Sequence, residues 1–203
     1  MKNQLSGKIT RLIEKIQALD LGKRHYTGLA LLVALGISGA FLTGSGGSAD
    51  NLCDTDLESL NQDVKDWRNY TLVNVESCEK FRISELDKPV LVETFAVWCP
   101  TCTRQQQELK RLHEKSDVTS VSLDVDRNED IRKIRRHRQR NGFDWRYAVS
   151  PLELTRMMVK RYDTSIANPP SAPMILVCEN GTRKLPNGVK PVSKLQEEIK
   201  KGC

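Results

Sequence analysis

The stretch Val90-Leu91-Val92-Glu93-Thr94-Phe95-Ala96-Val97-Trp98-Cys99-Pro100-Thr101-Cys102 decides the fold of this chain. It opens as a short, largely apolar and β-branched run, the composition of a buried strand over Val90 to Val97, and Thr103 to Glu114 continues it as a helix. Two cysteines separated by two residues can close a small disulfide, and a strand passing into a helix at that point puts the first sulfur at the helix N-terminus, where a thiolate is favoured. With Cys99 as N-cap, Pro100 falls at the first helical position, where its missing N–H costs nothing, and the free amides of the first turn stabilise negative charge on sulfur. Cys99 is therefore the candidate attacking thiolate and Cys102 the candidate resolving thiol of a mixed disulfide.

Beyond this stretch, strand and helix patterns alternate, as in a wound α/β sheet. Tyr70 to Val75 and Val118 to Val125 read as strands, residues 127–140 as a very basic helix, and Trp145 to Val149 as a short extended segment. Leu152 to Tyr162 reads as a helix, Met174 to Cys178 as a strand and Val192 to Lys201 as a last helix. Asn180-Gly181 and Asn187-Gly188 are turn signals, the first fitting a hairpin. Upstream, Thr55 and Glu58 have capping-box spacing, and Leu57, Leu60, Val64 and Trp67 predict one short amphipathic helix.

No charged residue lies between Tyr26 and Ala49, and Leu29 to Leu42 is apolar enough to form most of a membrane span. Lys2, Lys8, Arg11, Lys15, Lys23 and Arg24 precede it, whereas Asp50, Asp54, Asp56 and Glu58 follow, so the basic flank is expected to stay in the cytoplasm. A cleaved signal peptide is the rival, since Gly47-Ser48-Ala49 resembles a small-residue cleavage site, but the basic region in front is long for one. The expected organisation is a cytoplasmic amphipathic basic segment (1–25), a transmembrane helix (26–43), a linker with a short helix (44–69) and a folded domain (70–203). All six cysteines follow the apolar segment, on the side where disulfides persist. Cys53, Cys78, Cys178 and Cys203 can form one or two structural bridges or remain buried thiols, and spacing does not choose among the pairings.

The net charge of +6 decides little, because 32 basic residues are set against 26 acidic ones. The run from Arg132 to Arg140 could meet anionic lipid or an acidic partner, although most such runs are solvated helix faces. Nucleic acid is not expected, because no stacking aromatics are interleaved with the run. A zinc site needs four ligands, and no second closely spaced Cys or His pair accompanies Cys99 and Cys102. Trp67 and Trp145 read as packing residues and His113 as a surface residue of its helix.

The Val90–Cys102 stretch resembles the strand-turn-helix active site of the thioredoxin superfamily. The segment Ala172-Pro173-Met174-Ile175-Leu176-Val177-Cys178-Glu179-Asn180-Gly181 is similar to the part of that family where a cis-proline, here Pro173, precedes a strand and hairpin. Gly188 is similar to the family glycine that lets a substrate backbone approach. The long spacing from Cys102 to Pro173 resembles the TlpA, ResA and CcmG branch, whose members are membrane-tethered extracytoplasmic proteins, often reductants of exported thiols. The resemblance implies a thioredoxin-like fold, a central mixed sheet flanked by helices, following a single transmembrane helix. It also implies a thiol-disulfide oxidoreductase of the plasma membrane with its catalytic domain outside the cytoplasm, working in the reductase direction on protein thiols and disulfides. A membrane electron donor and membrane lipid are the implied partners, and no cofactor or metal is. Trp98, Pro100, Ala172, Pro173 and Gly188 would border the substrate. Glu93, at the position of the family's buried carboxylate, would accept the proton of Cys102 unless it points to solvent at a strand end. A copper-delivery relative would carry a late histidine, but the last one is His137, and a peroxidase would carry a different cysteine loop. The alternative from another class is a non-catalytic thioredoxin-like binding module at the membrane surface with a static Cys99–Cys102 disulfide.

Overall fold

Strand β3 (Val90–Phe95) is buried along its whole length and is the centre around which the other elements are laid. The computed structural model describes Cys53 and residues 57–203; the expected segments 1–25 and 26–43 lie outside the described residues. Among the described residues no helix is long and apolar enough to cross a membrane.

In chain order the elements are α1 (Leu57–Leu60), β1 (Leu72–Val73), β2 (Lys80–Phe81), β3, α2 (Pro100–His113), β4 (Thr119–Asp124), α3 (Ile131–Asn141), β5 (Arg146–Val149), α4 (Leu152–Arg161), β6 (Met174–Cys178), β7 (Gly181–Lys184) and α5 (Val192–Gly202). Strands β1 and β2 form a separate antiparallel pair, and the main sheet has the order β5-β4-β3-β6-β7. β3, β4 and β5 run parallel, β3 pairs antiparallel with β6, and β6 with β7. The sheet is thus mixed and the fold α/β, as expected.

Side chains alternate across a strand with period two, and β3 uses both faces. Leu91 and Phe95 pack with Leu109 and Leu112 of α2, Ile134 of α3 and Leu195 of α5. Val90 and Val92 pack on the other face with Leu154 and Met158 of α4, Trp67 and Ile83. A carboxylate at Glu93 therefore shares the face of the cysteines, not that of α4.

Two expected elements are shorter than their patterns suggest. The Tyr70–Val75 strand reduces to a two-residue ladder, Leu72 opposite Phe81 and Val73 opposite Lys80. Asn74 ends it: its side chain accepts from the Glu76 amide and its carbonyl from the Cys78 amide, turning the chain back at once. The amphipathic helix through Trp67 stops at Leu60, and Trp67 begins a separate 3-10 turn, Trp67–Asn69, capped by Asp66, which accepts from the Arg68 amide. His113, expected on the surface, is half-buried: its Nε2 lies 2.8 Å from Ser120 Oγ and its ring meets Trp145 edge-on.

All six cysteines are paired: Cys53–Cys78, Cys99–Cys102 and Cys178–Cys203. The last bridge ties the end of β6 to the residue after α5, across a sequence separation of 25. A crosslink of that span restricts the unfolded chain and contributes about 2–4 kcal/mol. Replacing Cys178 and Cys203 by alanine is therefore expected to lower the free energy of unfolding by about that amount in urea titrations followed by circular dichroism. An unchanged midpoint would show that the bridge adds nothing to stability.

Candidate active site

At the end of β3 the chain runs through Ala96, Val97 and Trp98 into α2, where Cys99 is the N-cap with extended backbone and Pro100 takes the first helical turn. The Cys102 amide donates to Cys99 Sγ at 3.1 Å. An N-terminal amide aimed at sulfur favours the thiolate at Cys99, as local sequence grammar suggested. Cys99 and Cys102 are disulfide-bonded and each about 1% exposed. Cys102 Sγ lies 3.3 Å from the Pro169 carbonyl oxygen, an acceptor for the Cys102 thiol in the dithiol form.

Trp98 is 57% exposed, and its indole N–H donates to Asp126 Oδ2 at 2.6 Å. Just before it, the Val97 amide donates to Glu129 Oε2 at 2.7 Å. Asp124, at the end of β4, accepts from the Asp126 amide; burial pushes its carboxyl up to about 8, with the Glu129 charge adding to the effect. Two acidic residues after β4, Asp126 and Glu129, thus hold the ring and backbone that precede Cys99, and Asp124 at the strand end holds the Asp126 backbone in turn.

Two loops close the other side. The 3-10 turn Pro169–Ser171 ends at Ala172, whose amide donates to the Pro169 carbonyl and whose backbone is left-handed (φ 44°). Here the structure departs from expectation: the cis peptide among the described residues is Lys88–Pro89, and Ala172–Pro173 is trans. The chain enters β6 instead from the left-handed Ala172 through a trans bond. Pro173 is buried beside the end of β3, its carbonyl accepting from the Thr94 amide at 3.4 Å. The Gly188 amide donates to the Ser171 carbonyl at 2.8 Å; its φ of 94° suits glycine, and no atom stands where a side chain would project.

Glu93 is buried, and Ser122 Oγ donates to its Oε1 at 2.5 Å while itself accepting from Trp145 Nε1 at 2.8 Å. Burial pushes the Glu93 carboxyl up to about 7, against the opposing influence of Ser122, Gln106 and the Lys190 charge. The solvent-facing alternative for Glu93 is thus excluded. Gln106 Oε1 lies 2.6 Å from His137 Nε2, which fixes the amide beside Glu93.

The residue that sequence inspection missed is Lys190. It is 5% exposed, and its ammonium donates to the carbonyls of Ala172 at 2.7 Å and Gly188 at 2.5 Å. Its backbone exchanges two hydrogen bonds with the Gln105 side chain of α2, at 2.7 and 3.3 Å. Burial lowers its pKa to about 8, opposed by the Glu93 charge. The only local signal was a lysine set among Val189, Pro191 and Val192.

A mixed sheet with a Cys-Pro-Thr-Cys disulfide where its central strand enters a helix defines the class of thioredoxin-like redox folds. The Redoxin family model matches residues 70–184, more than half of the chain, and the chain belongs to that family. The thiol:disulfide interchange protein DsbE of Escherichia coli strain K12 is 32% identical over 112 residues, covering 54% of this chain and 60% of that protein, and DsbE of Shigella flexneri matches equally. The chain thus spans about three fifths of the length of these curated relatives. Among solved structures, a secreted Mycobacterium tuberculosis disulfide oxidoreductase homologous to E. coli DsbE superposes with a TM-score of 0.54 at 12% identity, covering 68% of this chain and 99% of that one. A thioredoxin-related protein from Neisseria meningitidis serogroup B gives 0.52 at 13% identity, covering 64% and 96%. These two likenesses bear on the fold alone.

The raised pKa of Glu93 has a signature in stability. The folded state holds a proton there that the unfolded chain releases near pH 4.5, so this contribution is complete below about pH 4.5 and is lost as pH rises through about 7. The unfolding free energy of the wild type is expected to fall relative to Glu93→Gln across that window. A constant difference between the two proteins in urea titrations from pH 4 to 8 would contradict it.

Proposed function

We propose that this chain is a thiol-disulfide oxidoreductase that exchanges electrons with protein disulfides through Cys99 and Cys102. The observation that carries the reading is the Cys102 amide aimed at the Cys99 sulfur, 3.1 Å away, at the first turn of α2. In the reductive direction the Cys99 thiolate attacks a substrate disulfide, forming a mixed disulfide and expelling one substrate thiolate. Cys102, deprotonated as it reacts, then attacks Cys99 Sγ, closes the Cys99–Cys102 disulfide and releases the second substrate thiolate. Two electrons pass from the dithiol to the substrate. Glu93 accepts the Cys102 proton, a role suited to a buried carboxyl with a pKa of about 7. Trp98, Pro100, Ala172, Pro173 and Gly188 form the rim that a substrate backbone meets. With both cysteines about 1% exposed, that rim must yield before a partner sulfur reaches them.

The reductase direction, a plasma-membrane anchor at residues 26–43 and an extracytoplasmic domain belong to the same proposal. Support comes from the apolar segment with its basic leading flank and from two disulfides besides the reacting pair, which persist where the surroundings are oxidising. A membrane dithiol donor and exported protein disulfides are the partners this arrangement calls for.

The enclosure of the pair is also what a non-catalytic binding module with a static disulfide would display. Insulin reduction by dithiothreitol separates the two: the intact chain is expected to accelerate it, and Cys99→Ser to lose that acceleration. Cys102→Ser is expected to accumulate a mixed disulfide visible by mass spectrometry. A rate independent of Cys99 would leave only the binding module.

Glu93→Ala is expected to slow steady-state turnover by about 10²-fold, within the usual range for a general base, while the single-turnover attack of Cys99 stays nearly unchanged. Equal steady-state rates for the two proteins would remove the proton-accepting role.

A further inference from the structure

The basic run of α3 divides into two sets with different surroundings. Arg135 donates to the Val75 carbonyl and lies 3.4 and 3.5 Å from the Cys53 and Cys78 sulfurs, and Arg138 pairs with Glu76 at 2.6 Å and reaches the Trp145 carbonyl. Both are engaged in holding the domain together. Lys133, Arg136 and Arg140, at i, i+3 and i+7, lie exposed on one stripe of the helix. Among the described residues no carboxylate forms a salt bridge with any of the three; Lys133 Nζ donates to the Asn128 carbonyl and feels Asp126 and Asp130 only at longer range, so Arg136 and Arg140 supply most of the stripe's open charge.

This stripe borders a groove of about 330 Å³ lined by Val97, Lys133, Arg136, His137, Arg140 and Asn141, with no acidic residue in its wall. The one acidic side chain that bonds to Val97, Glu129, is engaged by the Val97 amide. Val97 is two residues from Cys99, and the next residue, Trp98, stands out from the surface with its ring pinned by Asp126. A fixed, exposed indole beside a cationic groove has the make-up of a polypeptide docking site: an aromatic anchor with a charged flank that steers encounter.

We propose that this groove receives an acidic segment of the protein substrate, flanking the cysteine that meets Cys99. The inference rests on the exchange activity proposed above and names the substrate class it prefers. Lipid headgroups offer anions too, but a bilayer lying against Val97 and Trp98 would cover the centre where exchange takes place.

The test uses the full chain and disulfide peptides that share one cysteine loop and differ only in flanking Asp/Glu, Gln or Lys residues. At low salt the acidic peptide is expected to have a KM about tenfold below the neutral one, an advantage that high salt and the variant Lys133→Gln/Arg136→Gln/Arg140→Gln both abolish. Turnover of a small uncharged disulfide should be the same in wild type and variant. Equal KM values for acidic and neutral peptides would overturn the proposal. So would an acidic-peptide KM that is unchanged in the triple variant, which would leave the stripe to lipid or solvent. If exchange itself fails, with small-disulfide turnover indifferent to Cys99→Ser, calorimetric titration of cysteine-free acidic and neutral peptides still decides the groove: binding of the acidic one alone supports it, and binding of neither overturns it.

Discussion

The hydrogen bond from the Cys102 amide to the Cys99 sulfur depends on four elements meeting in one place. Strand β3 must end where α2 begins, α2 must start with a residue that needs no amide hydrogen bond, and two loops must cover the junction. Each condition is met by residues whose other roles are structural. Pro100 starts the helix without an unsatisfied N–H, Val97 and Trp98 are held by Glu129 and Asp126 beyond β4, and Pro169 places its carbonyl against the second sulfur. The sulfur chemistry is thus supported by residues drawn from most of the domain's length.

Behind the cysteines the interior is polar in a way that few cores tolerate. Glu93, Ser122, Gln105, Gln106, His137 and Lys190 are all buried on the cysteine side of the molecule. An ionised carboxylate or ammonium there loses hydration worth several kcal/mol unless it is bonded or neutralised. Lys190 is satisfied by two backbone carbonyls, and Glu93 by the Ser122 hydroxyl and a partial population of its neutral form. Such groups change protonation within the range where thiols also do, which a wholly apolar core could not provide.

Features that arise within a few residues of one another were legible in the sequence. The Cys99 cap, Pro100, the strand before them and the Met174–Cys178 strand follow from local composition and periodicity, and the structure has them. Glu93 was legible as a position in a strand but not as a face, because which side is buried depends on the helices β3 meets. Lys190 was not legible at all: its function comes from carbonyls 18 and 2 residues away in the chain and from Gln105, 85 residues away. The Cys53–Cys78 and Cys178–Cys203 pairings were equally hidden, since spacing carries no record of which chain segments lie side by side. Tyr70–Val75 failed for the opposite reason. Its pattern was a good strand pattern, and two side chains overrode it, Asn61 by taking the Thr71 amide and carbonyl at one end and Asn74 by turning the chain at the other.

Lys190 joins parts that would otherwise move independently. Its ammonium grips both the Ala172 and the Gly188 carbonyl, and its backbone is stitched to Gln105, three positions along α2 from Cys102. A chain pressing on the loop at Ala172 therefore pulls, through one lysine, on the helix that carries the second sulfur. The loop at Ala172, the turn at Gly188 and the helix of Cys102 are thereby tied to one residue, so that displacing any of them strains hydrogen bonds to the other two.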